Sequence, residues 1–422
     1  MNSRIAHLFH EKLFCFLRLL AILLTAVYAG SAQADGELIR IGTLSSVKIG
    51  SLAGINFISG ISADGNVIAG TNGIAEGVAH AFRWTANSGM QDLGATPSHK
   101  DSFAKAISAD GNVVVGTTSD LGVGRAFRWT ANSGMQDIGD GVALAVSADG
   151  SVVVGEKGRF RAFRWSANSG MQDIGTLGGK SSSASRVSAD GRVVVGWSNT
   201  ADGVIHAFRW TVENGMQDIG ILGKHGRVFA ISANGNVVVG HRYVTDAIDH
   251  AFRWTPDGGM QDLDTLGGKR SFAFAVSADG KVVVGESEIT TGNSRAFRWT
   301  ANSGMQDLGT LDGKSSSASS VSADGSVVVG WSGHDINMGT AFRWTAGDGM
   351  QPVAGWLKAV GAKMPADYLA WTVFPAFRVS ADGNVIVGTG RDAANDMFAW
   401  RVRTFQRATT AASPSQSSIR RP

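Results

Sequence analysis

Residues 277–309 read SADGKVVVGESEITTGNSRAFRWTANSGMQDLG, and close copies of this stretch recur along the chain. Its first phrase, Ser-Ala-Asp-Gly (Ser-Ala-Asn-Gly at 232) ahead of a Val-rich run, has its serine at Ser62, Ser108, Ser147, Ser188, Ser232, Ser277, Ser322 and Ser380. Its second, Ala-Phe-Arg-Trp, ends at Trp84, Trp129, Trp165, Trp210, Trp254, Trp299 and Trp344, with a degenerate Met397-Phe398-Ala399-Trp400 completing eight. Most spacings are 44 to 46 residues. Within a unit, one strand runs into the serine and an Asp-Gly turn follows. The Val run is strand two, Ala-Phe-Arg-Trp-Thr is strand three, and Met-Gln-Asp-Leu/Ile-Gly after the Ala-Asn-Ser-Gly loop is strand four. Glycine after aspartate suits a tight hairpin that needs a positive φ. Four antiparallel strands per 45 or so residues is the period of a β-propeller blade. A parallel β-helix has shorter coils and no need of paired hairpins. The sequence therefore predicts an all-β, eight-bladed propeller.

Composition agrees. The 422 residues include 56 Gly, 7 Pro, 20 Phe and 12 Trp, with only 17% charged residues. That aromatic content gives the chain ample surface to bury, which excludes general disorder. The first 34 residues read as a signal peptide: Arg4, Lys12 and Arg18, an apolar run from Leu19 to Tyr28, then Ala32-Gln33-Ala34. The single cysteine, Cys15, lies within it, so the mature chain has no disulfide, thiol nucleophile or cysteine metal ligand. Without the leader, 35 basic residues face 34 acidic ones. Five of the bases (Arg401, Arg403, Arg407, Arg420 and Arg421) fall in the last 22 residues, where there is no acid. No electrostatic footprint for nucleic acid remains.

Pairing Thr85 with Met90 across the third hairpin sets Arg83 opposite Asp92. The same loop length predicts five further structural pairs: Arg128 with Asp137, Arg164 with Asp173, Arg209 with Asp218, Arg253 with Asp262, and Arg298 with Asp307. Cross-strand opposite charges stabilise by about 0.2–1 kcal/mol. The eighth unit ends at Trp400-Arg401-Val402 with no fourth strand after it, whereas Leu38–Leu44 matches the fourth strand of other units. The N-terminus is therefore expected to close the ring, Arg40 lying opposite Ala399. In the seventh unit Pro352 stands where Asp is expected, predicting a short strand followed by an outer helix over Val353 to Ala362.

His-Ala-Phe at 80–82, 206–208 and 250–252, together with the Ser-Ala-Asp-Gly turns, resembles the HAF-type extracellular repeat family of bacteria. The resemblance spans residues 38 to 401, and 356 to 388 look like that family's terminal module. It implies an exported or surface protein, autotransporter-passenger-like, although no translocator barrel follows residue 402. The domains are then a signal peptide (1–34), the propeller (35–401) and a basic Ser/Thr/Ala tail (402–422) read as disordered.

No motif for chemistry emerges. The mature histidines, His80, His99, His206, His225, His241, His250 and His334, form no His-x-x-x-His, and no Asp-x-Asp-x-Asp-Gly or Gly-x-Ser-x-Gly is present. No cofactor or metal is called for. Binding is favoured by topology: the turns on one face repeat, whereas the loops between strands two and three, and between units, vary. That variable face carries Lys100, Lys180, Lys224, Lys269 and Lys314, with Trp197, Trp331 and Tyr243, which suit a glycan or acidic polymer. The expectation is an exported, monomeric, non-catalytic binding protein, adhesin-like or glycan-binding, meeting a glycan or a cell-surface protein. The alternative is a secreted glycan-active hydrolase or lyase using unrepeated acids such as Glu76, Asp246, Asp335 or Asp392.

Overall fold

A computed structural model describes residues 36–42, 57–75, 77–120, 123–158, 160–245, 247–334, 339–367, 372–394 and 396–404. The leader, Glu76, Asp246, Asp335 and the tail beyond Thr404 lie outside the described residues. Within them the chain forms thirty-two strands and one short helix. The strands make eight four-stranded antiparallel blades, and a single parallel bridge between Asp249 and Arg270 joins the fifth to the sixth. The fold is the expected all-β propeller. Blades 1 to 7 occupy residues 57–92, 101–140, 142–173, 178–221, 227–262, 267–307 and 315–352. Blade 8 combines 372–404 with the N-terminal strand Gly36–Ile41.

The Ser-Ala-Asp-Gly turns hold the ring together. In blade 1 the Ser62 hydroxyl donates to Asp64 and accepts the Val67 N–H, while Asp64 also accepts the Asn66 N–H. Gly65 closes the turn at φ +70, and a Cβ there would collide with Val385 of the neighbouring blade. The turn alanine then bonds to its counterpart in the next blade. Ala63 N–H donates to the Ala109 carbonyl, Ala109 to Ala148, Ala148 to Ala189 and Ala189 to Ala233. Ala233 donates to Ala278, Ala278 to Ala323, Ala323 to Ala381, and Ala381 back to Ala63, all at 2.8–3.0 Å. A closed cycle of eight backbone hydrogen bonds fixes the blade number.

The core lies between blades. Each unit's phenylalanine, from Phe82 to Phe342, is wholly buried and packs with Val, Ile or Ala residues of its own and the preceding blade. Eight such clusters occupy the eight interfaces.

The third-hairpin register differs from expectation by one residue. Thr85 pairs with Gly89, Trp84 with Met90, Arg83 with Gln91 and Phe82 with Asp92. The loop is three residues long and ends in a glycine at φ +68, so Gly89 is itself the first residue of strand four. The expected pairs of Arg83, Arg128, Arg164, Arg209, Arg253 and Arg298 with Asp92, Asp137, Asp173, Asp218, Asp262 and Asp307 are therefore not cross-strand pairs. Five of the six arginines, all but Arg209, reach to the next blade instead. Arg83 and Arg128 donate Nε to the turn carbonyls of Gly111 and Gly150 at 3.0 and 3.2 Å. Arg128, Arg164, Arg253 and Arg298 also stack over Trp165, Trp210, Trp299 and Trp344, 5.4–6.0 Å from the ring centroids.

The N-terminal strand closes blade 8, as expected, but Arg40 faces Trp400, and Ile41 faces Ala399. Gly388 pairs with Trp400 as Gly70 pairs with Phe82, so the eighth copy of Ala-Phe-Arg-Trp is Ala399-Trp400-Arg401-Val402. The repeat arginine is retained: Arg401 donates to Gly65 at 3.1 Å and stacks over Trp84. The strand continues to Thr404, with Val402 fully buried, so the propeller extends past the expected boundary at 401. In blade 7, Pro352 lies opposite Phe342 in a four-residue strand no shorter than several other fourth strands. The helix follows as expected but covers Val353–Ala359 only. Its Trp356 sits 4.8 Å from Arg343, taking the place of the tryptophan that blade 8 lacks.

Two predictions follow from this scaffold. Ile41→Ala, in a strand that closes the ring, should cost about 2–5 kcal/mol in denaturant unfolding, whereas Ile221→Ala, at 56% exposure, should stay within about 0.5 kcal/mol. Equal effects would mean that the N-terminal strand is not part of the cooperative fold. The second concerns acid. The Ser147 hydroxyl and then the Ser151 N–H hold the Asp149 carboxyl below its ordinary range, and Ser322 and Ser326 do the same for Asp324. Depressed values mean that this stability is present above the unfolded pKa of about 3.9 and is lost as pH falls through the folded values. Asn234 already fills the same turn with the same bonds. The double substitution Asp149→Asn and Asp324→Asn should therefore flatten the loss of stability as pH falls below about 4. An unchanged acid limb in denaturant titrations would refute this.

Candidate functional site

Antiparallel connectivity puts the Ser-Ala-Asp-Gly turns and the strand three–four loops on one face. The strand two–three loops and the links between blades lie on the other. The repeat aspartates belong to that second face. Each pairs with the residue two before the repeat phenylalanine: His80 with Asp92, Arg125 with Asp137, Arg161 with Asp173, His206 with Asp218, His250 with Asp262 and Arg295 with Asp307. Arg161 makes the pair in fork geometry, at 3.1 and 3.2 Å. The carboxylates also accept a backbone N–H two residues on, as Asp92 does from Gly94. The partners sit twelve residues apart, and the exceptions lose both: Thr340 with Pro352, and Phe398 with Arg40. In the last case Arg40 stacks on Phe398, 4.5 Å from the ring centroid. The sequence held this signal, but a register set one residue off concealed it.

Lys100, Lys180, Lys224, Lys269 and Lys314 are all exposed, at the links between blades or the starts of inner strands. They are thus spread around the loop face rather than gathered. Of the three aromatics, Tyr243 alone joins a lysine: Lys224 Nζ lies 5.4 Å from its ring. Trp197 and Trp331 are strand residues, half-buried, and Trp197 packs against the core between blades 4 and 5. Trp197 thus serves the interior more than the loop face.

A cavity of about 660 Å³ opens between the strand two–three hairpin of blade 1 and the inner strand of blade 2. Its lining includes Ser59, Asp101, Phe103, Lys105 and, from blade 8, Arg378. Arg378 and Arg186 occupy the same inner-strand position in opposite blades, next to a β-bulge, and each donates to the carbonyl of the residue before it. Sequence reasoning missed all three cations. The available signal was an Arg-Val-Ser-Ala-Asp-Gly phrase at 186–191 and 378–383, where other units have Gly, Ala or Ser in the arginine position. Among the described residues no three of His, Asp and Glu gather as a metal site.

Of the acids considered for catalysis, Asp392 is engaged by Arg40 at 3.0 Å and by the N–H groups of Ala394 and Asp396. Arg40 and these hydrogen bonds hold its carboxyl below the ordinary range against the opposing effect of burial, which is the largest single influence. Glu76, Asp246 and Asp335 fall outside the described residues.

No protein-family model and no curated protein sequence matches the chain. Solved structures do. An oligogalacturonate lyase in complex with manganese shares 12% identity over 89% of this chain and 92% of that one, with a TM-score of 0.46. The β-propeller domain of the Trilobed protease from Pyrococcus furiosus shares 11% over 82% and 95%, with a TM-score of 0.44. Dipeptidyl peptidase 4 from Porphyromonas gingivalis shares 9% over 82% of this chain and 60% of that one, with a TM-score of 0.47. The expectation of a non-catalytic chain is corrected here, because similar propellers include a lyase and a peptidase. The missing local motif excludes no activity, since a ring can assemble a site from single residues of different blades.

The rim pairs can be told apart from the expected ones. A double-mutant cycle on Arg161 and Asp173 should give coupling of about 0.2–1 kcal/mol, while Arg164 and Asp173 should couple by less than about 0.3 kcal/mol. The reverse order would restore the expected register.

Proposed function

We propose that this chain is an exported surface-interaction protein of the HAF-repeat kind, which binds an acidic glycan through its variable-loop face. One observation supports the reading above others: the two faces are built differently. The turn face repeats one hydrogen-bonded motif in every blade and is locked by the alanine cycle. The opposite face keeps only its Asp-centred rim constant, and its loops and lysines vary from blade to blade. A rigid scaffold with variable loops on one side is how repeat folds carry recognition. Exposed ammonium groups spread around that face suit a flexible polyanion, which can touch several without a single deep pocket. Such contacts are individually weak and screened by salt.

The triple substitution of Lys180, Lys269 and Lys314 by Glu should leave thermal stability nearly unchanged, within about 0.5 kcal/mol per site. Attachment to an immobilised acidic polysaccharide should weaken at least tenfold, most steeply at low ionic strength. Undiminished attachment, or its loss on substituting Asn87 and Ser88 on the turn face, would place recognition on the wrong side.

A further inference from the structure

The lumen has a character of its own. At the bulge of each inner strand one residue sits out of register between two paired ones. Ser59 and Lys105 are such residues in blades 1 and 2, and both line the cavity. Phe229 and Phe274 hold the same place in blades 5 and 6, half-exposed, with ring centroids 5.4 Å apart. His241 and Phe272 back them, 5.2 Å from Phe229 and 6.2 Å from Phe274. One position along come Arg186 and Arg378. Blades 4 and 8 stand on opposite sides of the ring, so these two guanidiniums meet only across the lumen. Burial, and secondarily the charge of Arg378, push Arg186 down to about 10. Neither has a carboxylate in ion-pair range among the described residues. The cavity's own acid, Asp101, accepts the Ala79 N–H at 2.8 Å. Lys105, Arg378 and Asp101 line the cavity, and Arg186, Phe229 and Phe274 hold the matching inner-strand positions elsewhere around the lumen. Glu286, paired with Phe272, is a second described acid on this side, and burial pushes its carboxyl up.

We infer that the lumen binds a carboxylate-bearing sugar ring, a uronic acid at the end of a glycan chain, with Arg186, Arg378 and Lys105 on the carboxylate and Phe229 and Phe274 against the ring. This rests on the acidic-glycan reading above and adds the group that is recognised. Guanidiniums match a carboxylate in fork geometry. Aromatic faces accept the apolar face of a sugar, and a wall without donors would reject a fully solvated small anion.

The test is calorimetric titration of the full chain with glucuronate at low salt, with glucose and acetate as controls. Wild type should bind glucuronate at least tenfold more tightly than either control. Arg186→Gln with Arg378→Gln should weaken it at least tenfold without lowering the thermal midpoint, since two enclosed like charges are removed. Phe274→Ala, which leaves the charges in place, should also weaken it. The triple lysine variant should bind glucuronate within twofold of wild type even where it no longer attaches to polymer. Loss of polymer attachment alone would therefore test the loop face, and loss of glucuronate binding alone the lumen. No glucuronate binding by wild type, full binding by the glutamine pair, or acetate binding as tightly as glucuronate would each overturn the inference.

Discussion

Everything in this molecule depends on the cycle in which the N–H of each turn alanine meets the carbonyl of the next. One such bond contributes only about 0.5–1.5 kcal/mol net. A cycle differs from eight separate bonds because it closes only when each blade is rotated by the same amount. A seven- or nine-bladed ring would change the angle at every link. The cycle also explains why the turn tolerates so little change. The serine hydroxyl, the aspartate or asparagine oxygen and a glycine at positive φ together aim one peptide group along the ring.

Outward from the cycle, the blades are joined by a relay of arginines. Apart from Arg209, the repeat arginines leave their own sheet and end on the unit that follows, at a turn carbonyl, over a tryptophan, or both. The relay survives where the repeat fails. Blade 8 has valine in the tryptophan position, and the helix after blade 7 brings Trp356 beneath Arg343. Blade 8 also lacks a fourth strand of its own, and the N-terminus supplies Leu38 and Ile41 to two adjacent cores. Joining the first strand to the last leaves no unpaired edge at the seam.

Fold and blade number were legible in the sequence because both depend on periodicity, which a repeat displays many times over. The closing strand was legible for the same reason: Leu38–Leu44 copies the other fourth strands. The register was not, because one glycine decides it. Read as loop, Gly89 sets Arg83 against Asp92; read as the first strand residue, it sets Phe82 there. The one-residue slip moves every side chain to the opposite face, which turned an inter-blade arginine into an apparent in-blade partner. The degenerate eighth phrase misled similarly. Phe398 resembled the repeat phenylalanine, whereas the strand pairing gives that role to Trp400. The lumen residues escaped because sequence comparison favours what recurs, and Arg186 and Arg378 interrupt a column of small residues.

That last point bears on where function can reside in a symmetric ring. Positions that form the cycle, the relay and the cores are constrained in every blade, so they cannot be specialised without loss of stability. The bulge residue and its neighbour vary more, being serine, lysine, leucine or phenylalanine at the one and glycine, alanine, serine or arginine at the other. They make no turn bond and lie on the inner strands, and although alanine at the neighbour position packs against a core in four blades, Arg186 and Arg378 stand there in two others. A lumen is also the one place where side chains from opposite blades approach each other, as Arg186 and Arg378 do. Symmetry builds the enclosure, and chemistry can enter only where the symmetry is broken. In this chain the break is directional, with cations from blades 2, 4 and 8 and aromatic rings from blades 5 and 6, which is an arrangement suited to a ligand having one charged end and one apolar face.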